Sequence, residues 1–162
     1  MADLTLDDKF QISEIYSIYA RAIDEKRYDL LERVFLDDAS LEYTVGPHQF
    51  SCKGEESANY FGAFLKYCYW TNHLIAPPMI ENEQDVFATA RVIATHLQKG
   101  LKGEIHRWTL RGSYHDHFSK SAAGWRISKR LCLCPDSEGE FNSDQVRIFE
   151  QLAWADPKQV CA

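Results

Sequence analysis

WTNHLIAPPM, residues Trp70–Met79, is a mixed apolar run stopped by Pro77-Pro78, and it reads as one β-strand. Alternation places Asn72, Leu74 and Ala76 on one face and His73, Ile75 and Pro77 on the other. The fold depends on what His73 faces. A second apolar strand, Val86–Leu97, carries His96 in phase with Val86, Ala88, Ala90, Val92 and Ala94, a file of small side chains that leaves space beside it. Two imidazoles on neighbouring strands can then share one cavity, where they take and give protons near neutral pH without a cofactor.

Downstream of these two segments the pattern is strands only. Asp85–Gln98, Glu104–Lys120 and Trp125–Cys134 follow Trp70–Met79, joined by short turn-like stretches, so an antiparallel meander is expected. Upstream, Thr5 and Asp8 form a capping-box pattern before a helix from about Leu6 to Ile23. Tyr28, Leu31, Val34 and Phe35 mark a shorter second helix closed by Asp37-Asp38, and Ala39–Val45 alternates as a half-buried strand. After an irregular link, Gly54–Tyr69 carries a third helical stripe of Ala58, Phe61, Leu65 and Cys68. Pro135–Gly139 reads as a polar linker and Asn142–Trp154 as an apolar terminal helix, which could cover the mouth of the sheet, dock outside it or meet another subunit. The chain is thus expected to be one α+β domain over residues 1–162. Its helices lie on one face of a curved antiparallel sheet, a cone whose mouth holds a ligand, with residues 135–162 as a C-terminal lid segment.

A length of 162 residues suits a single core, and 45% apolar with 13% aromatic content can line a pocket as well as fill an interior. The net charge of −6 disfavours nucleic acid or an anionic membrane surface as partner, which leaves a small hydrophobic organic substrate. The acidic start MADLTLDD lacks the basic and apolar regions of a secretory signal, and no window approaches a membrane span, so a cytoplasmic location is expected. The five cysteines are odd in number and lack C-x-x-C spacing, which favours reduced thiols; Cys132 and Cys134 share one strand face.

Asp24, at the end of the first helix, is either a solvated acid or the orienting partner of an imidazole. Tyr43 points inward with Leu41 and Val45. Tyr114 shares a face with Leu110, Gly112, Asp116 and Phe118, where Gly112 leaves a gap that a ligand could fill. Either hydroxyl could polarise a carbonyl oxygen, and either could be plain core. His115 and His117 lie on the opposite face and lack a third ligand, so no metal site is expected; phosphate loops, nucleophile elbows and dinucleotide fingerprints are absent from the sequence.

The helix-then-sheet order, the segment YARAIDEKRYDLLERVF, the strand WTNHLI and the closing GWRI resemble the SnoaL-like branch of the NTF2-like superfamily, and within it the scytalone dehydratases. The tail PDSEGEFNSDQVRIFE resembles that group's acidic-aromatic lid. The resemblance implies that Asp24 pairs with His96, that His73 is the second catalytic histidine, and that Tyr43 holds the water polarising a carbonyl. It further implies a cofactor-free elimination or isomerisation beside a ketone on a polyketide or terpenoid intermediate, carried out by a homo-oligomer, a dimer or trimer. A SnoaL-type cyclase, a non-catalytic binding module and an oxygenase accessory subunit are the alternatives. Ile23 stands where the dehydratases carry a second tyrosine, and Gly112 and Tyr114 where they carry a serine and an asparagine, so the recognised hydroxyls should differ.

Overall fold

In the computed structural model, which describes residues 3–45, 48–82, 85–100 and 102–139, helices at the N-terminus cover a curved, unclosed sheet of seven strands. Helix α1 (Leu6–Asp24) starts where the sequence places it. The Thr5 hydroxyl accepts from the Asp8 amide at 3.1 Å and the Asp8 carboxylate accepts from the Thr5 amide at 3.1 Å, which satisfies amides that the first turn leaves without partners. Lys120 Nζ and Trp125 Nε1 donate to the same carboxylate at 2.6 and 2.8 Å, pinning the helix start to the far end of the sheet. Its inward stripe of Ile12, Ile15, Tyr16, Tyr19, Ala22 and Ile23 is buried against the concave face.

The expected second helix is a single 3-10 stretch, Tyr28–Arg33, and Phe35 already belongs to β1 (Phe35–Val45), so Asp37-Asp38 sit within a strand instead of closing a helix. The cause is pairing: the Ile127 amide donates to Val34 O at 2.8 Å and draws the chain into the sheet. The link read as irregular holds β2 (His48–Lys53). Helix α2 is only Ser57–Phe64, because β3 begins at Cys68, opposite Gln98.

Strand β3 (Cys68–Ile75) lies at the sheet edge beside β5 (Val86–Lys99). The Ala76 amide makes a last bond to Arg91 O at 2.9 Å, and Pro77-Pro78, with no amide hydrogens, interrupt pairing until β4 (Met79–Asn82) resumes it at Met79 opposite Thr89. Strands β6 (Ile105–Ser121) and β7 (Gly124–Gly139) follow. The sheet runs β2-β1-β7-β6-β5-β3, with β4 also on β5. The antiparallel meander expected of the last four predicted strands is present as β3, β5, β6 and β7, while β1, outside that meander, joins parallel to β7, with Tyr43 opposite Cys132. Pro135–Gly139 is no linker but the end of β7. Arg111 holds it through Asp136 and Glu138, both at 2.9 Å. The terminal helix expected over Asn142–Trp154, and the lid built on it, lie outside the described residues. No helix among the described residues is long and apolar enough to cross a membrane.

Candidate active site

Parity along β3 and β5 holds. Thr71 and His73 turn inward, and Val86, Ala88, Ala90, Val92, Ala94 and His96 form one buried file. In register, His73 lies opposite Ala94, whose small side chain lets the two imidazoles meet edge to face with ring centroids 5.5 Å apart.

Asp24 pairs with His73 and not, as the family resemblance implied, with His96. Asp24 Oδ1 lies 2.7 Å from His73 Nδ1, Oδ2 accepts the His73 amide at 2.8 Å, and Thr71 Oγ1 donates to Oδ1 at 3.0 Å. The carboxylate at the end of α1 is therefore half-buried and bound by the edge strand, because β3 runs beside the helix terminus and the His73 amide donates to it. Burial alone would raise the Asp24 pKa, but the hydrogen bonds and charge of His73, with Thr71, together hold it below its ordinary value. An ionised Asp24 at Nδ1 fixes the tautomer that leaves Nε2 as a base.

His96 is of a different kind. It is fully buried against Phe64 and Trp108, and burial, then the neighbouring His73, lowers its pKa to about 3 in spite of a hydrogen bond with the Trp108 backbone. Burial thus favours the neutral form of His96 down to about pH 3, which suits a neutral hydrogen-bonding role better than that of the cationic acid of an imidazole pair. This has a thermodynamic corollary. In the unfolded chain His96 takes a proton near pH 6.5, whereas the folded chain refuses it until about pH 3, so stability should fall as pH drops through that window, at most about 1.4 kcal/mol per unit. Urea denaturation of His96→Gln between pH 4 and 7 should give a shallower dependence than the parent; equal slopes would refute the assignment.

Tyr43 and Tyr114, picked out from alternation, line the same inner cavity as His73 and His96, a space of about 40 Å³. Burial, followed by the charge of neighbouring Tyr19, keeps both phenols protonated and therefore hydrogen-bond donors. Ile23, where a second tyrosine was noted as missing, is part of the apolar wall. Gly112 does not open a gap for ligand. A β-carbon there would collide with Leu133 O and Cys134, because β7 bulges against β6 at that point. His115 and His117 bind Ser113 at 2.9 Å and Asp85 at 2.7 Å on the outer face, and no cluster able to hold a metal ion occurs among the described residues.

Three features were not picked out as functional from sequence. Tyr19, read only as part of a helical stripe, is central: its ring meets His73 and Tyr114 edge-on at 6.1 and 5.6 Å. Thr71 shares Asp24 with His73. Below the cavity, Arg130 and Asp116 form a wholly buried bidentate pair at 2.8 and 2.7 Å, with the guanidinium over Tyr114 and Tyr19 at 4.1 and 4.3 Å. Asp116 had been placed on the face of Tyr114, and Arg130 shares the parity of Cys132 and Cys134, so the pair was latent in the alternation.

A profile describing a SnoaL-like domain matches residues 4–131. The chain belongs to the SnoaL-like family. Its fold is that of the NTF2-like superfamily. An uncharacterized protein of Mycobacterium tuberculosis is 27% identical over 130 residues, covering 78% of this chain and 84% of its own. Among solved structures, a Novosphingobium aromaticivorans protein provisionally described as a scytalone dehydratase superposes with a TM-score of 0.71 at 17% identity, covering 85% of this chain and 90% of that one. A type 2 hexachlorocyclohexane dehydrochlorinase superposes at 0.68 with 18% identity, covering 85% and 91%. At such identities the structural likeness speaks for the SnoaL-like fold alone.

Proposed function

We propose that this SnoaL-like protein is a cofactor-independent lyase that removes a proton beside a carbonyl group and expels a leaving group from the neighbouring carbon, with dehydration of a hydrophobic natural-product intermediate as its reaction. The observation that carries this reading is the Asp24–His73 dyad, Oδ1 to Nδ1 at 2.7 Å, in an apolar wall shared with two protonated phenols. The neighbours described as a dehydratase and a dehydrochlorinase both carry names of elimination reactions, which is consistent with it.

The residues divide the work as follows. His73 Nε2 accepts the α-proton, and Asp24 stabilises the imidazolium so formed. Tyr43 or Tyr114 donates a hydrogen bond to the oxygen on which enolate charge accumulates. Since His96 stays neutral, the imidazolium of His73 returns the same proton to the departing hydroxide: one C–H and one C–O bond break, a C=C bond forms, and water leaves. His96 orients the polar end of the substrate as a neutral group.

The reading is tested by incubating the chain with β-hydroxy ketones in deuterium oxide and following both loss of water and α-deuteration by proton NMR. Water loss, or α-deuteration without it, is the expected result. Absence of both across aryl and alicyclic β-hydroxy ketones would remove the reading.

A further inference from the structure

The inner wall of the site contains two thiols that the elimination does not use. Cys132 and Cys134 stand two residues apart on β7, both are free, and both line the cavity of His73 and His96. Their sulfurs are 3.7 Å apart. Cys132 is opposite Tyr43 on β1 and opposite Tyr114 on β6, so the thiols share the concave face with the two phenols, and Cys132 stands between them. Gly112 makes room for the second thiol. A β-carbon there would come within 2.8 Å of the Cys134 sulfur, so the bulge of β7 against β6 seats Cys134 where a side chain from β6 would otherwise stand.

The four described thiols are of two kinds. Neither Cys52 nor Cys68 lines the cavity, and burial pushes them up to about 12 and about 11. In the pair, the hydrogen bond from Cys132 favours negative charge on Cys134 and holds it below the ordinary thiol value, while the same bond, then burial, raises Cys132. The nucleophilic sulfur of the wall is therefore Cys134, beside groups able to polarise a carbonyl oxygen.

We propose that Cys134 is a covalent capture site for α,β-unsaturated carbonyl compounds, the class to which the product of the proposed elimination belongs; this choice of electrophile rests on the lyase reading. The Cys134 thiol gives its proton to His73 Nε2, and its sulfur bonds to the β-carbon. The C=C electron pair moves toward the carbonyl, Tyr43 or Tyr114 donates to the oxygen that takes the charge, and His73 returns the proton to the α-carbon. One S–H bond and one C=C π bond are exchanged for one C–S and one C–H bond, so neither oxidant nor leaving group is needed. The adduct occupies the cavity, and product that lingers there shuts the site until the addition reverses.

The test uses methyl vinyl ketone, a four-carbon enone suited to a space of about 40 Å³, and methyl methanethiosulfonate, a small thiol reagent with no carbonyl group. Mass spectrometry of tryptic peptides after timed exposure of the full chain gives the rate at each thiol. The enone should add at Cys134 about tenfold or more faster than at Cys52 or Cys68, as their thiolate fractions require. Tyr43→Phe combined with Tyr114→Phe should slow that addition about tenfold, the loss expected when a developing charge has no donor, and leave the thiosulfonate rate at Cys134 unchanged. Cys132→Ala should slow both reagents at Cys134. An enone rate at Cys134 no greater than at Cys52, or one that the two phenylalanine substitutions do not change, would overturn the proposal. Turnover of β-hydroxy ketones with no enone adduct at Cys134 would sink the capture site alone. An adduct at Cys134 in a chain that turns over none of them would defeat the lyase reading and leave the thiol site standing.

Discussion

Asp24→Asn is expected to lower proton abstraction by roughly 10²–10⁴-fold, the range for loss of an oriented general base. The reason lies in which atoms Asp24 serves. Oδ2 accepts the His73 backbone amide, a donor that cannot reverse its role, so the asparagine carbonyl must take that place. The amide nitrogen then falls where Oδ1 was, beside His73 Nδ1 and Thr71 Oγ1, and donates to the ring. The imidazole responds by carrying its proton on Nε2, which is the atom that must be bare to attack a C–H bond. Stability should change far less, by about 1–3 kcal/mol, since the hydroxyl and amide contacts can largely be kept. Single-turnover α-deuteration read beside urea denaturation decides the matter: turnover within threefold of the parent would show that the carboxylate does not set the tautomer.

The second large effect is on folding. Asp116→Asn should cost about 3–5 kcal/mol, a large part of the 5–15 kcal/mol typical of a domain, because it leaves the Arg130 charge wholly buried with no anion. The aromatic faces of Tyr19 and Tyr114 recover only part of that loss. Arg130→Met combined with Asp116→Leu removes both charges and should be the more stable of the two variants, since no uncompensated ion remains. Equal denaturation midpoints for the parent and Asp116→Asn would mean that the pair contributes nothing.

Much of this site was legible in the sequence because strand alternation is a strict code. Once Trp70–Met79 and Val86–Leu97 were read as neighbours, the inward phase of His73 and His96 followed, and the same logic turned Tyr43 and Tyr114 toward them. What alternation cannot encode is which strand lies where. The pairing of Asp24 depends on the end of α1 lying against the edge strand, a tertiary fact that the residues alone leave open, and the family resemblance points to His96 where the structure has His73. The same blindness left the parallel place of β1 beside β7 unforeseen, and made a linker of Pro135–Gly139, whose polar residues are held by Arg111 across the ladder. Gly112 misled for a related reason: a missing side chain was read as room for a ligand, when the partner strand occupies that room.

The insertion of β1 beside β7 also governs the order in which the molecule can form. Leu41 and Tyr43 have no parallel partner until Arg130 and Cys132 have been synthesised and brought back across the whole intervening sheet, which makes this ladder a contact of long loop closure. A nascent chain can build the β5–β6 hairpin from local contacts, but its first long strand must wait, paired only with β2, for nearly the last one. Since Arg130 reaches Asp116 from that late strand, neutralisation of the buried charge belongs to the closing stage of folding, and a ribosome-bound chain ending before Gly124 would carry the dyad residues without the strand that completes the floor beneath them.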